Sequence, residues 1–208
     1  MAFDLNTFLQ KGLIYGGARP SKFDVQGTLP ASLSGVNITA MERLTFTCKA
    51  ASIPSFNLGT TEIPYFGRKI KLNGDRTWDD WRITVMNDED FQVRAMFEAW
   101  NNSINALTSN IMAVEADSSV VSSITPNLSE QGYKSDWTVV QYGKNGTAIR
   151  GYTIIGAWPR VVAEMPLDWD STNRIQEFGV TVSFDTLVPV ADLEAVINAD
   201  TPSYSSLT

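Results

Sequence analysis

The sequence contains no histidine and only one cysteine, Cys48. Without histidine the chain cannot build a serine–histidine or cysteine–histidine nucleophilic pair, a histidine metal site or a histidine-based pH switch. A single cysteine cannot form an internal disulfide or a multi-cysteine zinc site. The most common nucleophilic hydrolase sites and zinc-binding motifs are therefore excluded, and we expect Cys48 to be a small buried side chain.

Charge is also scarce. Charged residues make up 19% of the chain, and 16 basic residues against 23 acidic ones give a formal net charge of −7. This balance argues against a protein that grips nucleic acid through its phosphates. No stretch approaches the ~18 consecutive apolar residues of a membrane span. Because the N-terminal segment carries Asp4 and lacks an apolar run, we expect neither a secretory signal nor membrane insertion.

The composition is nevertheless that of a globular protein. Hydrophobic residues are 43% and aromatic residues 11% of the 208 positions. At about 150 residues per domain, this length predicts one domain, or one with long decorations, and not two. A low fraction of charged residues in a chain rich in aromatic residues indicates that partners cover part of the surface.

Alternation of apolar and polar residues predicts several strands joined by short links. They are expected at 22–26, 44–49, 67–72, 78–86, 136–142, 147–155 and 175–185. Turns are expected at Asn73–Asp75 and at Gly143–Gly146. Short links favour antiparallel neighbours, and the sum is a mainly β protein, an antiparallel β-sandwich or barrel.

One long helix is predicted at about 88–107 and flanks the sheets. Its apolar residues recur at spacings of four and three, which places them on one stripe: Val93, Phe97, Trp100, Ile104 and Leu107. Asn87 or Asp88 is expected to cap this helix, with further acids in its first turn. Shorter helices are predicted at 4–11 and 191–197.

Three segments are predicted as long loops: 27–42, 50–66 and 108–134. The segment 50–66 is unusual because it is rich in large apolar side chains. A solvent-exposed loop would not carry them, so the segment either packs under its own domain or docks on another chain.

No motif predicts an enzyme, and we expect no catalytic, cofactor-binding or metal-binding residue and no cofactor. The acidic pair Asp79–Asp80 has no partner that the sequence places across a cleft, as glycosidase chemistry would need. The run at 168–173 resembles an Asp-x-Asp calcium loop but lacks its glycine and distal glutamate, so a hydrogen-bonded turn is expected. A remote alternative is a carbohydrate-binding β-sandwich that uses Trp78 or Trp158 as a stacking platform.

Four blocks of sequence carry a family resemblance. GRKIKLNGDRTWDDWRITVMNDED at 67–90 resembles the tail tube protein of contractile-tailed bacteriophages of the T-even type. So do ARPSKFDVQ at 18–26, FTCKAASIP at 46–54 and WPRVVAEMPLDWDSTNRIQEFGVTVSFD at 158–185. The blocks stand in the family's order, and the family is related to the tube proteins of type VI secretion systems.

The resemblance implies a structural virion protein. Six subunits would form a ring by pairing β edges, and rings would stack into the hollow inner tube of a contractile tail, through which DNA is ejected. The implied partners are copies of itself, the tail sheath protein, baseplate hub and tube-initiator proteins, the tape measure protein and the tail terminator, with DNA only in transit. The implied location is the virion tail, assembled in the cytoplasm of the host bacterium. The tube of a phage-derived injection particle remains an alternative.

The resemblance also divides the chain. It implies a tail tube domain at 1–185, with an N-terminal arm at 1–20, and an extension at 186–208. The segment 50–66 falls where the family has a loop that reaches the adjacent ring. The residues expected to pack between rings are Ile53, Pro54, Phe56, Ile63, Pro64 and Tyr65.

Overall fold

The computed structural model describes residues 5–11, 17–30, 33, 38–108 and 132–190. In these ranges the helices are α1 (Leu5–Lys11), α2 (Ile38–Thr47) and α3 (Gln92–Ile104). The strands are β1 (Phe23–Gly27), β2 (Cys48–Ala51), β3 (Phe56–Tyr65), β4 (Arg68–Trp78), β5 (Trp81–Met86), β6 (Ser135–Tyr142), β7 (Ala148–Val162), β8 (Glu177–Ser183) and β9 (Thr186–Pro189). No described helix is long and apolar enough to cross a membrane.

Seven strands form one folded sheet in the order β1-β6-β7-β8-β5-β2, and β9 adds to β7. Every pairing between these strands is antiparallel. The first part of β7 pairs with β6 and β9, and its last part pairs with β8. The long strand therefore turns the corner between two sheet layers, and the predicted mainly β, antiparallel fold with a flanking helix is confirmed.

Gly156 lies at the corner of β7 and has a positive φ of 72°. A Cβ at this position would come within 2.2 Å of Asp185 Oδ2. Its backbone N–H donates to Asp136 Oδ1 at 3.0 Å. Only glycine combines this backbone conformation with so close a carboxylate, so the corner requires it.

Helix α3 closes the core between the layers. Val93, Met96, Phe97 and Trp100 on its inner face are buried. The ring of Trp137 on β6 lies 5.5 Å from Trp81 and 6.2 Å from both Phe97 and Trp100, measured between centroids. Trp81, Trp100 and Trp137 are therefore core residues, and these rings supply much of the buried apolar area.

The limits of α3 differ from the predicted 88–107. Its N-cap is Phe91, with φ 54° and no capping side chain, so neither Asn87 nor Asp88 caps it. Arg43 of α2 instead binds Asp88 at 2.6 Å and Asp90 at 3.1 Å. Asp88 and Asp90, which were expected at the start of α3, therefore form ion pairs with the neighbouring helix α2 instead. Leu107 lies beyond the last turn and is exposed.

The strand predicted at 44–49 is wrong over most of its length. Residues up to Thr47 belong to α2, and β2 starts only at Cys48. The apparent alternation placed Leu44 and Phe46 on one face, yet Leu44 is fully buried and Phe46 is 85% exposed. The buried residues Ala40, Met41 and Leu44 recur at helical spacing, so the helical period decided the structure. The loop predicted at 27–42 is wrong from residue 38 onward for the same reason.

The later strands are confirmed, although β7 continues to Val162, beyond the predicted end at 155, and β8 is shorter than the predicted 175–185. The hairpin of β6 and β7 turns through Gly143–Gly146, where Gly146 has φ 83°. The inward residues of β8 are buried, as expected. In the acidic turn at 168–173, the Asp168 carboxylate accepts from the Asp170 backbone N–H at 3.1 Å, as expected for a hydrogen-bonded turn. Strand β9 carries the fold past the predicted boundary at 185. Most of the loop predicted at 108–134 lies outside the described residues. The helix predicted at 191–197 lies wholly outside them.

Candidate assembly interface

Strands β3 and β4 form a two-stranded ribbon that leaves the body of the protein. They pair with each other and, in the described part of the chain, with no other strand. All ten residues of β3 are exposed. The turn at the tip is Phe66–Gly67, whose φ angles of 43° and 79° are both positive, as a type I′ hairpin turn requires.

The ribbon continues the β2–β5 pair outward. The backbone N–H of Ser52 donates to the Arg82 carbonyl, and that of Asp79 donates to the Ser55 carbonyl, both at 3.3 Å. At ~3.3 Å per residue, the eleven residues of β4 span about 35 Å. The chain therefore presents an arm, formed by residues 56–78, that is about as long as a small domain is wide.

One face of the arm is apolar. The register pairs Ile63 with Ile70, Thr61 with Leu72 and Tyr65 with Arg68. Residues directly opposite each other in an antiparallel pair share a face, so Ile63, Tyr65, Ile70 and Leu72 line the same side, here called the apolar face. Their exposed fractions are 45%, 60%, 49% and 47%. Arg68 lies on this side as well, next to the tip. A contiguous apolar surface of this kind on a projecting ribbon indicates a contact surface.

In the outer half of the arm, the other face is polar and charged. Lys71 stands opposite Glu62, and Lys69 stands opposite Pro64. Lys69 Nζ also lies 2.8 Å from Glu62 Oε2, across the two strands. The arm is therefore amphipathic, and the alternation of lysine with isoleucine and leucine at 69–72 produces the two faces.

Aromatic rings anchor the base of the arm to the body. Phe56 meets Trp78 edge to face at 5.8 Å, and Trp78 lies 6.0 Å from Phe184 at the rim of the core. The guanidinium of Arg76 stands over Phe56 at 5.4 Å and over Trp78 at 5.7 Å, within cation–π range. These contacts fix the direction in which the arm leaves the body.

Two glycines face each other in the middle of the arm, where the register shifts between Leu58 and Thr60. A Cβ on Gly74 would lie 3.0 Å from the backbone carbon and oxygen of Gly59. Gly74 is therefore needed for a close backbone approach at a bulge. The turn predicted at Asn73–Asp75 is wrong, because β4 runs through this segment and the turn lies at Phe66–Gly67.

The structure also corrects the predicted loop at 50–66, which is mainly strand β3. Of the six residues predicted there, Ile63 and Tyr65 are on the apolar face, and Pro64 is exposed on the polar face. Phe56 belongs to the aromatic base. Ile53 precedes the arm and is half exposed, whereas Pro54 is buried. Their predicted role between rings stays a prediction.

Sequence reasoning missed half of the apolar face. Ile70 and Leu72 were assigned to a separate strand at 67–72, and Phe66, 91% exposed at the tip, was placed in the loop. The sequence did carry the signal for Ile70 and Leu72, in the lysine–isoleucine–lysine–leucine alternation. It could be assigned to this arm only once the turn at Phe66–Gly67 was known.

The groups that could suggest other chemistry are occupied in packing. Burial raises the pKa of the Cys48 thiol to about 12, and the nearby charge of Asp24 acts in the same direction, so this thiol is a poor nucleophile. Trp78 is held between Phe56 and Phe184, and Trp158 packs edge to face on Tyr133 at 6.2 Å. Neither ring is the open platform that the carbohydrate-binding alternative needs.

Known proteins resemble this chain along most of its length. Residues 18–188 match the family described as phage tail tube protein. The tail tube protein gp19 of Enterobacteria phage T4 is 37% identical over 169 residues, which are 81% of this chain and 89% of that protein. The tail tube protein gp19 of Enterobacteria phage T6 matches over the same lengths at the same identity.

Solved structures show the same fold at low identity. One is the sheath/tube terminator of the extracellular contractile injection system PVC in its extended state, with a TM-score of 0.57, 15% identity and coverage of 86% of this chain and 99% of that one. Another is the sheath–tube complex of the same system, with a TM-score of 0.51, 16% identity and coverage of 92% and 100%. The family match and the identity to the T4 protein confirm the resemblance found in the sequence. The chain belongs to the phage tail tube protein family.

Proposed function

We propose that this chain is the structural subunit of the hollow inner tube of a contractile phage tail, and that it acts by assembly. Subunits join into six-membered rings, the rings stack, and DNA passes through the bore on its way to the host. The observation that carries this proposal is the projecting arm with its apolar face, on a chain 37% identical to the tail tube protein of phage T4. Exposing this apolar face to water is unfavourable, and a second copy of the chain that covers the face would remove that cost.

The sheet layout supports lateral assembly. Strands β1 and β9 lie at the margins of one layer of the sheet, and β2 lies at the margin of the other. Open sheet margins are liabilities in a monomer, and ring closure between identical subunits pairs them. A net charge of −7 also suits a conduit for DNA, since a strongly basic bore would retain the phosphates.

The proposed partners follow from this position. The two injection-system structures are described as a sheath–tube complex and as a sheath/tube terminator. By analogy, this chain binds a tail sheath protein along the tube and a terminator at its end. It meets baseplate hub and initiator proteins at the other end and encloses a tape measure protein. The tube is part of the virion and assembles in the bacterial cytoplasm.

A pair of variants tests the role of the arm. Ile70→Asp places a charge on the apolar face, whereas Asn73→Asp places the same charge on the polar face of the same strand. Both positions are exposed in the single chain, so both variants should unfold at the same temperature as the parent protein. We expect Ile70→Asp to abolish tube formation and Asn73→Asp to keep it, measured by sedimentation and negative-stain microscopy.

Tubes of normal length from Ile70→Asp would contradict the proposed role of the apolar face. Phe56→Asp tests the base of the arm in the same way and should also block growth, because it removes the ring on which Arg76 and Trp78 rest. Thermal unfolding of each purified variant distinguishes a lost contact from a lost fold.

A further inference from the structure

The arm and a second unusual surface lie at opposite ends of the same two strands. Strand β5 starts at Trp81, next to the arm, and pairs there with Val182 of β8. It ends at Met86, opposite Glu177 of β8. Six residues of strand separate the two ends by about 20 Å. Whatever lies beyond Met86 and before Glu177 is therefore on the side of the body opposite the arm.

Two segments meet at that far end, 87–91 before α3 and 164–176 between β7 and β8. They are joined by hydrogen bonds of the Asn87 backbone and side chain to Gln176, at 2.8 and 3.2 Å. We call them together the distal surface. An open groove of about 690 Å³ lined by Leu167, Ile175 and other residues continues into one of about 440 Å³ lined by Phe91. Arg174, Ile175 and Gln176 line both grooves.

Large apolar side chains are exposed on the distal surface. Trp169 is fully exposed, Leu167 is 87% exposed, and Ile175 and Phe91 are also open to solvent. In a single chain these side chains have no core to join, because the core lies on the inner faces of β5 and β8. The distal surface therefore resembles the arm in exposing apolar groups that an isolated subunit leaves wet.

The charges of the two surfaces are opposite. The arm, 56–78, holds four basic residues and two acidic ones. The distal surface holds one basic residue, Arg174, and six acidic ones: Asp88, Glu89, Asp90, Glu164, Asp168 and Asp170. Arg43 offsets part of this charge at Asp88 and Asp90. Lys49, which also lines the larger groove, is paired with Glu177, and the remaining acids of the distal surface are exposed. Opposite charge around apolar patches favours contact between the two surfaces and disfavours arm-to-arm contact.

We infer that the distal surface of one subunit receives the arm of a second copy of this chain, in the next ring. This inference rests on the proposed tube and names the surface that the arm contacts. The contact is heterologous, since an arm at one end meets a different surface at the other end. Repeated with a rotation that does not close, such a contact produces an open-ended filament, which is the form a tube requires.

Each subunit would then have two different binding ends, the arm and the distal surface, and a complementation experiment can test them separately. Ile70→Asp disables the arm and leaves the distal surface intact. Ile175→Asp disables the distal surface and leaves the arm intact, and Ile175→Val is its matched control because it keeps an apolar side chain. Ile175 is two-thirds exposed in a loop, so neither change should alter folding.

The experiment compares each variant alone with an equimolar mixture of Ile70→Asp and Ile175→Asp, each first concentrated into its own rings so that the two variants do not share a ring. We expect neither variant alone to grow tubes and Ile175→Val to grow them as the parent does. In the mixture, one arm still meets one intact distal surface. The expected product is therefore a two-layer complex that stops growing, seen by analytical ultracentrifugation and negative-stain microscopy.

The outcomes separate this inference from the proposed function. Tubes from Ile175→Asp, with none from Ile70→Asp, would show that the arm does not bind the distal surface, and would leave the proposed tube function intact. Tubes from both variants would show that the arm is not needed for tube growth. A mixture that stays at the size of its components would show that the two surfaces do not bind each other. A photo-crosslinking residue at position 70 of otherwise parental tubes should label peptides from 87–91 or 164–176, and labelling elsewhere would also overturn the inference.

Discussion

Truncation of Ile70 to alanine should weaken tube growth by a calculable amount without affecting the fold. Full burial of an isoleucine side chain is worth about 1.5–3 kcal/mol. Ile70 is 49% exposed in the single chain, so covering the remainder contributes about 1 kcal/mol to each contact. Ile70→Ala should lose most of this, which corresponds to about a fivefold weaker contact.

The assay is the critical concentration for growth, taken as the protein left in the supernatant after tubes are pelleted. We expect it to rise about fivefold for Ile70→Ala. Asn73→Ala, on the polar face of the same strand, should leave it nearly unchanged. The free energy of unfolding of both variants should stay within about 0.5 kcal/mol of the parent, since each changes an exposed side chain. An unchanged critical concentration for Ile70→Ala would refute the reasoning that the apolar face is covered on assembly.

Three further predictions concern the body of the protein. Gly156→Ala should lower stability by about 2–4 kcal/mol, measured by chemical denaturation, because the corner has a positive φ and its Cβ would collide with Asp185; a change below 0.5 kcal/mol would show that the corner relaxes freely. Cys48 should resist alkylation at pH 8–9 in the folded protein and react rapidly once unfolded, because its pKa is raised to about 12. Since the folded thiol binds its proton more tightly than the unfolded one, the stability that it contributes is present below pH 9 and falls as the pH rises from about 9 to 12, where Cys48→Ala should show a smaller loss.

The sequence specified the body of the fold well where a single period dominated. The alternation in β6 and β8 places tryptophan, valine and phenylalanine on one side, and those side chains are buried. The stripe of α3 worked for Val93, Phe97 and Trp100 because helix and core contacts coincide there. Such segments have one consistent solution, and local pattern is enough to find it.

Prediction failed where two periods fitted the same residues. Leu44, Phe46 and Cys48 alternate like a strand, yet Ala40, Met41 and Leu44 recur like a helix. The helix forms because it packs Ala40, Met41 and Leu44 into a core shared with β5 and α3, which lie far along the chain. Contacts at that separation leave no trace in a local window.

The arm was missed for a different reason. Gly74 was read as a turn because asparagine–glycine pairs mark hairpins. In the structure it is a site of close backbone approach to Gly59, and the tip is formed by Phe66 and Gly67. The sequence alone showed that 50–66 is rich in large apolar side chains, and it left open whether they pack under the domain or dock on another chain. It could not show that those side chains share one face, because that depends on the register of β3 with β4.

The most direct test of the account is a cryo-electron microscopy map of the purified, concentrated protein. We predict a hollow tube of stacked six-membered rings in which the β3–β4 arm crosses each ring boundary and its apolar face is covered. A tube in which Ile63, Tyr65, Ile70 and Leu72 all remain open to solvent, or particles that stay monomeric at every concentration and in the presence of a preformed tube end, would contradict it.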